Sequence, residues 1–221
     1  MEIRRDILKS WHRCRPSGTY DKTSITIHST GNPASSAQNE RDWLDNPSNR
    51  REASWHYVVD EKGVIQAIPD EEEAWHCGNT IGNRFSIGLE ICEGGDREKT
   101  LRNAVNFAVQ KMKEYGFTLT DIVRHYDWTG KNCPRILIDK KYIKDGMDWE
   151  WFMKEIESRL RKEKEMEKVY NWTLEVPEWG RPTVQKLLDK GYLQGNEKGE
   201  LELTYAMLKL LVINDRAGLY D

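Results

Sequence analysis

The sequence has no long apolar run, and no stretch approaches the roughly 20 residues that a membrane-spanning helix needs. Its N-terminus, MEIRRDILKSWHRC, lacks the apolar segment of a secretory signal, so we expect synthesis in a cytoplasm. The formal net charge of −3 is far from the basic excess of a dedicated nucleic-acid-binding protein. We therefore expect a soluble protein with neither a membrane span nor a nucleic-acid partner.

Cysteine and histidine are also scarce. The four cysteines, at positions 14, 77, 92 and 133, show no CxxC spacing and are too sparse for a disulfide scaffold, so buried reduced thiols are expected. Only five histidines are available as metal ligands. Tryptophan, in contrast, is abundant, with nine residues. Aromatic residues in this number can build a core or a carbohydrate-binding surface.

The hydrophobic patterns of the first 150 residues predict strands and helices around one sheet. The segment TSITIHST (23–30) alternates like a strand, residues 54–70 form a predicted hairpin that turns at Gly63, and RFSIGLEICEGG (84–95) is another strand. The following segment, EKTLRNAVNFAVQKMKEYGF, has helical periodicity and ends at Gly116. These alternating elements predict an α/β fold.

The character of the chain changes after about residue 149. We predict a first domain over residues 1–158, a charged linker or helix end over 159–176, and a small, mainly helical C-terminal domain over 177–221. In this last domain Pro182 opens a helix and Thr204 can cap a second one.

Two histidines and a cysteine form a candidate metal site. His28 lies at the end of a predicted strand, His125 ends a second extended segment, and Cys133 follows eight residues later. Two imidazoles and a thiolate suit catalytic zinc, which needs three protein ligands and an open fourth position. Pro134 predicts a short helix after Cys133, and a thiol at a helix N-terminus has a lowered pKa. Surface histidines and a buried cysteine remain an alternative explanation of the spacing.

Glu90 is the candidate catalytic acid or base. It lies in a predicted strand, on the face opposite Ile87, Leu89 and Ile91, although glutamate is depleted in strands. One interpretation is an edge-strand glutamate that faces water. The other is a general base close to a metal-activated water.

Four segments in order, ITIHST, SWHYVVDEKGVIQAIPDEEEAWHCGN, SIGLEIC and RHYDWTGKNCPRIL, resemble the zinc-dependent N-acetylmuramoyl-L-alanine amidases. They resemble most closely the lysis enzymes (endolysins) of phages that infect Gram-positive bacteria, and peptidoglycan recognition proteins share the fold. The resemblance covers roughly residues 20–140. It implies a central mixed β-sheet flanked by helices, and Zn²⁺ bound by His28, His125 and Cys133.

The resemblance also assigns roles around the zinc site. It implies that Glu90 activates the attacking water and that Lys131 stabilises the oxyanion, although Lys131 could instead be an exposed loop lysine. His76, Trp55 and Asn83 are expected to bind substrate, with a hydrogen-bonded structural role as the alternative for His76. Trp55 occupies the position of a tyrosine that some phage relatives use in catalysis. Because an indole cannot exchange a proton in that role, Trp55 receives no acid–base function.

The resemblance implies a peptidoglycan hydrolase that cleaves the amide bond between N-acetylmuramic acid and L-alanine by zinc-activated water. Such an endolysin is made in the host cytoplasm and needs a pore-forming partner to reach the cell wall. The C-terminal domain is expected to bind a cell-wall polymer, unless it is a helical extension or a dimerisation element. A prophage-derived bacterial autolysin and a non-catalytic peptidoglycan receptor are the alternatives, although receptors typically replace a zinc ligand.

Overall fold

The computed structural model describes residues 2–221 and divides the chain into two compact units. The first unit ends at Glu157, and the second comprises Ser158–Asp221. All predicted site residues belong to the first unit.

The first unit is built on a six-stranded mixed sheet, in agreement with the predicted fold class. The strands lie in the order β1-β4-β3-β5-β2-β6, and only the β3–β4 hairpin is antiparallel. Parallel neighbours need crossover connections, which this chain makes with loops and helices. The strands are β1 (Ile3–Arg5), β2 (Ser24–Ser29), β3 (Tyr57–Asp60), β4 (Gly63–Gln66), β5 (Ser86–Ile91) and β6 (Ile122–Arg124).

Helices pack on both faces of this sheet. Side chains alternate between the faces of a strand, so the partners of successive residues in β3 identify the two layers. Val58 belongs to a core cluster with Ala37 and Leu44, whereas the ring of Tyr57 contacts that of Phe107. The helices that begin in this unit are α1 (Ala37–Asp45), α2 (Thr80–Phe85), α3 (Arg97–Tyr115), α4 (His125–Thr129), α5 (Arg135–Ile138) and α6 (Trp149–Glu167). Helices α1 and α3 therefore cover opposite faces.

Several element boundaries differ from the predicted ones. The strand predicted over residues 84–95 is shorter, because Arg84 and Phe85 end helix α2. His125, expected to end an extended segment, is instead the first residue of α4. Helix α6 continues to Glu167 and so includes the first part of the predicted linker. The charged side chains of this stretch can be solvated while the helix continues. Charge alone therefore did not mark where the helix ends.

A buried ion pair joins helix α3 to the segment that follows strand β4. Lys111 Nζ lies 2.6 Å from Asp70 Oδ2, and both side chains are almost fully buried. The carboxylate also accepts hydrogen bonds from the hydroxyl groups of Tyr57 and Tyr115 and from the side-chain amide of Gln66. A buried charge is tolerated when it is paired and its remaining lone pairs are satisfied, and this cluster meets both conditions.

The second unit has a small hydrophobic core of its own. A two-stranded sheet pairs a strand before the first helix with a strand between the two helices. Thr204 caps the last helix as predicted and accepts a hydrogen bond from the Met207 amide. Tyr170, Val176 and Leu208 are central members of the core. The elements are β7 (Val169–Tyr170), α7 (Arg181–Asp189), β8 (Leu203–Thr204) and α8 (Tyr205–Arg216). In residues 2–221, none of the helices is both long and apolar enough to cross a membrane.

Replacing Lys111 with methionine should destabilise the first unit by about 3 kcal/mol, because the Asp70 carboxylate would stay buried without its counter-charge. Chemical denaturation followed by circular dichroism measures this change. The matched control is Lys99→Met in the same helix, where the side chain is 70% exposed and the loss should stay below about 0.5 kcal/mol. Equal stabilities of the two variants would contradict the assigned role of the buried pair.

Candidate metal centre and groove

The structure brings together the two histidines and the cysteine predicted to bind metal. One potential ligand atom from each of His28, His125 and Cys133 lies within 4.8 Å of the others, and all three residues are buried. The two Nδ1 atoms are 3.0 Å apart, and Cys133 Sγ lies 3.8 Å from Nδ1 of His28. The three side chains thus converge on one point.

The register of the parallel strands explains this convergence. His28 in β2 is paired with Glu90 in β5, so both side chains point from the same face of the sheet. On the other side of β2, Ile27 is paired with Arg124. Continuing this register by one residue brings His125 next to His28. Strand β5, strand β2 and the first residue after β6 therefore present Glu90, His28 and His125 in one row.

The loop that carries Cys133 is fixed by contacts with the same edge of the sheet. The Ser29 amide donates to Cys133 Sγ at 3.5 Å, and the Tyr126 amide donates to the Cys133 carbonyl at 2.9 Å. Arg135, two residues later, forms a 2.6 Å ion pair with the buried carboxylate of Glu93. These contacts hold the thiol beside the two imidazoles.

The donor set fits zinc. Two nitrogen ligands and one sulfur ligand leave a fourth tetrahedral position open, which is the arrangement of a catalytic site. Burial lowers the pKa of His125 to about 4, and burial together with the neighbouring histidines lowers the pKa of His28. Both imidazoles are therefore neutral at neutral pH, with a lone pair available for a metal.

The expectation of a lowered pKa for Cys133 is wrong for the metal-free protein. Burial, followed by the charge of Glu90, raises the pKa of the thiol to about 12. The four-residue helix α5 and the hydrogen bond from Ser29 do not outweigh this loss of hydration. A metal ion would therefore have to displace the thiol proton, as is usual for thiolate ligands.

Glu90 lies beside the converging ligands in a nearly dry position. Its Oε1 atom is 4.0 Å from Nδ1 of His28, and its Oε2 atom is buried without a hydrogen-bond partner. Burial and the charge of Glu40 raise its pKa to about 8, against the opposing effect of Lys131. The alternative of an edge-strand glutamate facing water is wrong, because β5 is a central strand and the side chain is only 15% exposed.

A cavity of about 680 Å³ opens over these residues. Glu90, Lys131 and Cys133 line one part of it. Lys131 is exposed. Its positive charge contributes a lowering effect to the pKa of each of four groups, namely His28, His125, Glu90 and Cys133. The cavity therefore joins the candidate metal position to an exposed positive charge.

Tryptophans form another part of the cavity wall. Trp43 and Trp55 are stacked with their ring centroids 5.8 Å apart, and Trp75 also lines the cavity. Trp55 is buried, yet its indole Nε1 has no hydrogen-bond partner. An unpaired buried N–H group costs free energy and is consistent with a partner supplied by a ligand.

The two remaining predicted site residues, His76 and Asn83, lie on the side of His28 away from His125 and Cys133. His76 lines the cavity, but its Nδ1 is also 2.9 Å from Nε2 of His28. Asn83 does not line the cavity; its side-chain oxygen accepts hydrogen bonds from the amides of His76 and Cys77. The structure therefore places Asn83 where it supports His76, not where a ligand in the cavity would touch it.

The other buried histidine and cysteines have structural positions. The Gly88 amide donates to Nδ1 of His56, whose Nε2 donates to the Glu72 carbonyl, so both ring nitrogens of His56 bind the backbone. All four cysteines are buried and free of disulfide bonds, as expected from their spacing.

A family model described as N-acetylmuramoyl-L-alanine amidase matches residues 19–136, more than half of the chain. Two relatives from Bacillus subtilis (strain 168) bear the same description. CwlA is 46% identical over 127 residues, covering 54% of this chain and 46% of CwlA. CwlH is 38% identical over 144 residues, covering 62% of this chain and 57% of CwlH. The chain thus spans about half the length of these relatives.

Solved structures share the fold. The catalytic domain of XlyA superposes with a TM-score of 0.63 at 35% identity, covering 71% of this chain and 99% of that domain. A mutant endolysin from Bacillus subtilis gives a TM-score of 0.63 at 35% identity, covering 70% of this chain and 98% of the endolysin. The similarity therefore covers almost the whole of each solved structure.

Proposed function

The chain belongs to the N-acetylmuramoyl-L-alanine amidase family, and we propose that it hydrolyses the amide bond between N-acetylmuramic acid and L-alanine in peptidoglycan. The observation that carries this proposal is the convergence of His28, His125 and Cys133 beside Glu90, at the base of an open cavity. A complete ligand set favours an enzyme over a peptidoglycan receptor on the same fold.

We propose Zn²⁺ as the metal held by His28, His125 and Cys133. When bound, zinc would supply positive charge that polarises the amide carbonyl, lowers the pKa of water and favours the ionised forms of Cys133 and Glu90. No further ligand is required from the protein, so substrate and water retain access from the cavity.

Glu90 is the proposed proton carrier. Its carboxylate accepts a proton from the attacking water as the new C–O bond forms, and then donates it to the alanine nitrogen as the C–N bond breaks. The side chain lines the cavity, from which the attacking water would approach. Burial keeps the pKa of the carboxyl close to neutrality, which suits a group that must both accept and release a proton.

Lys131 and Trp55 are proposed to bind the reacting amide. The Lys131 ammonium group can approach from the exposed side of the cavity and offset the negative charge that develops on the carbonyl oxygen. The unpaired indole N–H of Trp55 can donate a hydrogen bond to an acceptor of the substrate. Trp43 and Trp75 provide apolar ring faces suited to sugar or peptide, next to these polar groups.

The second unit is proposed to bind a cell-wall polymer. Its surface exposes Trp172, Trp179 and Tyr192, aromatic residues whose rings are available to a carbohydrate partner. We also propose that a pore-forming partner admits the enzyme from the host cytoplasm to the wall, as the resemblance to phage lysis enzymes implies.

Digestion of purified peptidoglycan, followed by mass spectrometry, tests the activity. We expect new L-alanine amino groups and intact glycan strands, because the proposed bond joins the sugar to the peptide. New reducing sugar ends without free L-alanine would show a glycosidase and refute the proposal.

Replacing Cys133 with alanine should abolish stoichiometric zinc binding, because it removes one of only three protein ligands. Metal content after dialysis, measured by atomic absorption, provides the comparison with the unaltered protein. Cys14→Ala is the matched control, since Cys14 is also buried but lies in the core beside Leu8. Full zinc occupancy in the Cys133 variant would refute the proposed ligand set.

Replacing Glu90 with glutamine should lower kcat by roughly 10²–10⁴-fold while zinc content is retained, because the amide cannot accept the proton. Glu98→Gln, on the exposed surface of α3, is the control and should leave kcat unchanged. The role of Glu90 as base would be untenable if its variant turned over within a few-fold of the unaltered enzyme.

A further inference from the structure

We propose that His76 is a positioning residue that holds the His28 imidazole in the single tautomer able to bind the metal through Nδ1. This inference rests on the zinc site proposed above and adds a second layer to it. His76 then acts on the metal only through His28, and a set of buried polar groups behind it fixes its own orientation.

The hydrogen bonds behind His76 run in one direction. Trp128 Nε1 can only donate, and it donates to Thr26 Oγ1 at 2.9 Å. The Ser86 hydroxyl donates to the Gly82 carbonyl at 2.8 Å. Since a hydroxyl has one hydrogen, the 2.6 Å contact between Thr26 and Ser86 must be donated by Thr26. Ser86 Oγ is therefore left as an acceptor.

This direction sets the tautomer of His76. Its Nε2 lies 3.5 Å from Ser86 Oγ, within hydrogen-bond distance of an oxygen that can only accept. With the Ser86 hydrogen already used, the proton belongs on Nε2 of His76. In a neutral imidazole the other nitrogen, Nδ1, is then an acceptor.

The tautomer of His28 follows from that of His76. The His28 Nε2 atom lies 2.9 Å from the acceptor Nδ1 of His76, so Nε2 carries the hydrogen and donates it. Nδ1 of His28 is left with a free lone pair, and this atom faces His125 and Cys133. Outer partners of this kind orient metal-binding histidines and raise their basicity.

A glycine in the central sheet allows His76 to occupy this position. A Cβ atom at Gly88 would lie 2.8 Å from Cγ and 2.9 Å from Nδ1 of His76, closer than side chains approach. Gly88 therefore lets the ring lie directly against β5. Asn83 fixes the other side by accepting hydrogen bonds from the backbone amides of His76 and Cys77.

The zinc dissociation constant, measured by competition with a chromogenic chelator and without substrate, tests this inference. His76→Leu removes the acceptor and should weaken zinc binding roughly 10–100-fold. His76→Asn can place its amide oxygen near the position of Nδ1 and should restore most of the affinity. Cobalt-substituted protein provides a spectroscopic check, because the visible bands of bound Co²⁺ should shift in the leucine variant and return in the asparagine variant.

His12→Leu is the matched control, since His12 is a partly buried histidine that contacts Asp45 and not His28. Ser86→Ala provides a second, smaller test in the same direction and does not depend on the folding of the leucine variant. Unchanged zinc affinity in both His76→Leu and Ser86→Ala would overturn the positioning role alone. An unaltered protein that binds no zinc would overturn both this inference and the proposed metal site.

Discussion

The parallel register of β5, β2 and β6 is the constraint on which the candidate site depends. It places Glu90, His28 and His125 in one row on one face of the sheet, although they are far apart in the sequence. Only Cys133 comes from outside the row, and its loop is fixed to the end of β2 by the Ser29 amide. A slip of one residue in any strand would turn its side chain to the opposite face. The relative positions of these side chains are therefore set by the backbone hydrogen bonds between the strands.

Burial gives this row its chemical character. Loss of hydration keeps the two histidines neutral and raises the pKa of both Cys133 and Glu90. The shifts of Cys133 and Glu90 disfavour negative charge, which a dication at the centre would offset, whereas the shifts of the two histidines keep their lone pairs available to it. Lys131, which is proposed to offset the reaction charge, lies outside this buried row, at the exposed edge of the cavity.

The candidate metal ligands, and the charged residues beside them, were predictable from the sequence because each lies in a short, recognisable segment. ITIHST, SIGLEIC and RHYDWTGKNCPRIL each contain one or more of them. The hydrogen-bonded residues behind His76 were not predictable. Thr26 and Ser86 look like ordinary strand residues, and their contact with each other exists only after two distant segments pair. The same limitation hid the Glu93–Arg135 pair and the buried Lys111, since a charged residue in a sequence resembles a solvated one. The predicted element boundaries at His125 and Phe85 were wrong because a strand and a short helix give similar sequence patterns over so few residues.

Gly88 has a consequence for how the sequence can vary. It carries no reactive group and touches neither the cavity nor the metal position, yet any larger residue there would collide with the ring behind His28. Variation at this position is thus restricted by a histidine with which it shares no chemistry. A survey of tolerated substitutions along β5 would record position 88 as strict as the glutamate two residues later. It would give no indication that position 88 is restricted by shape and Glu90 by its proposed reactivity.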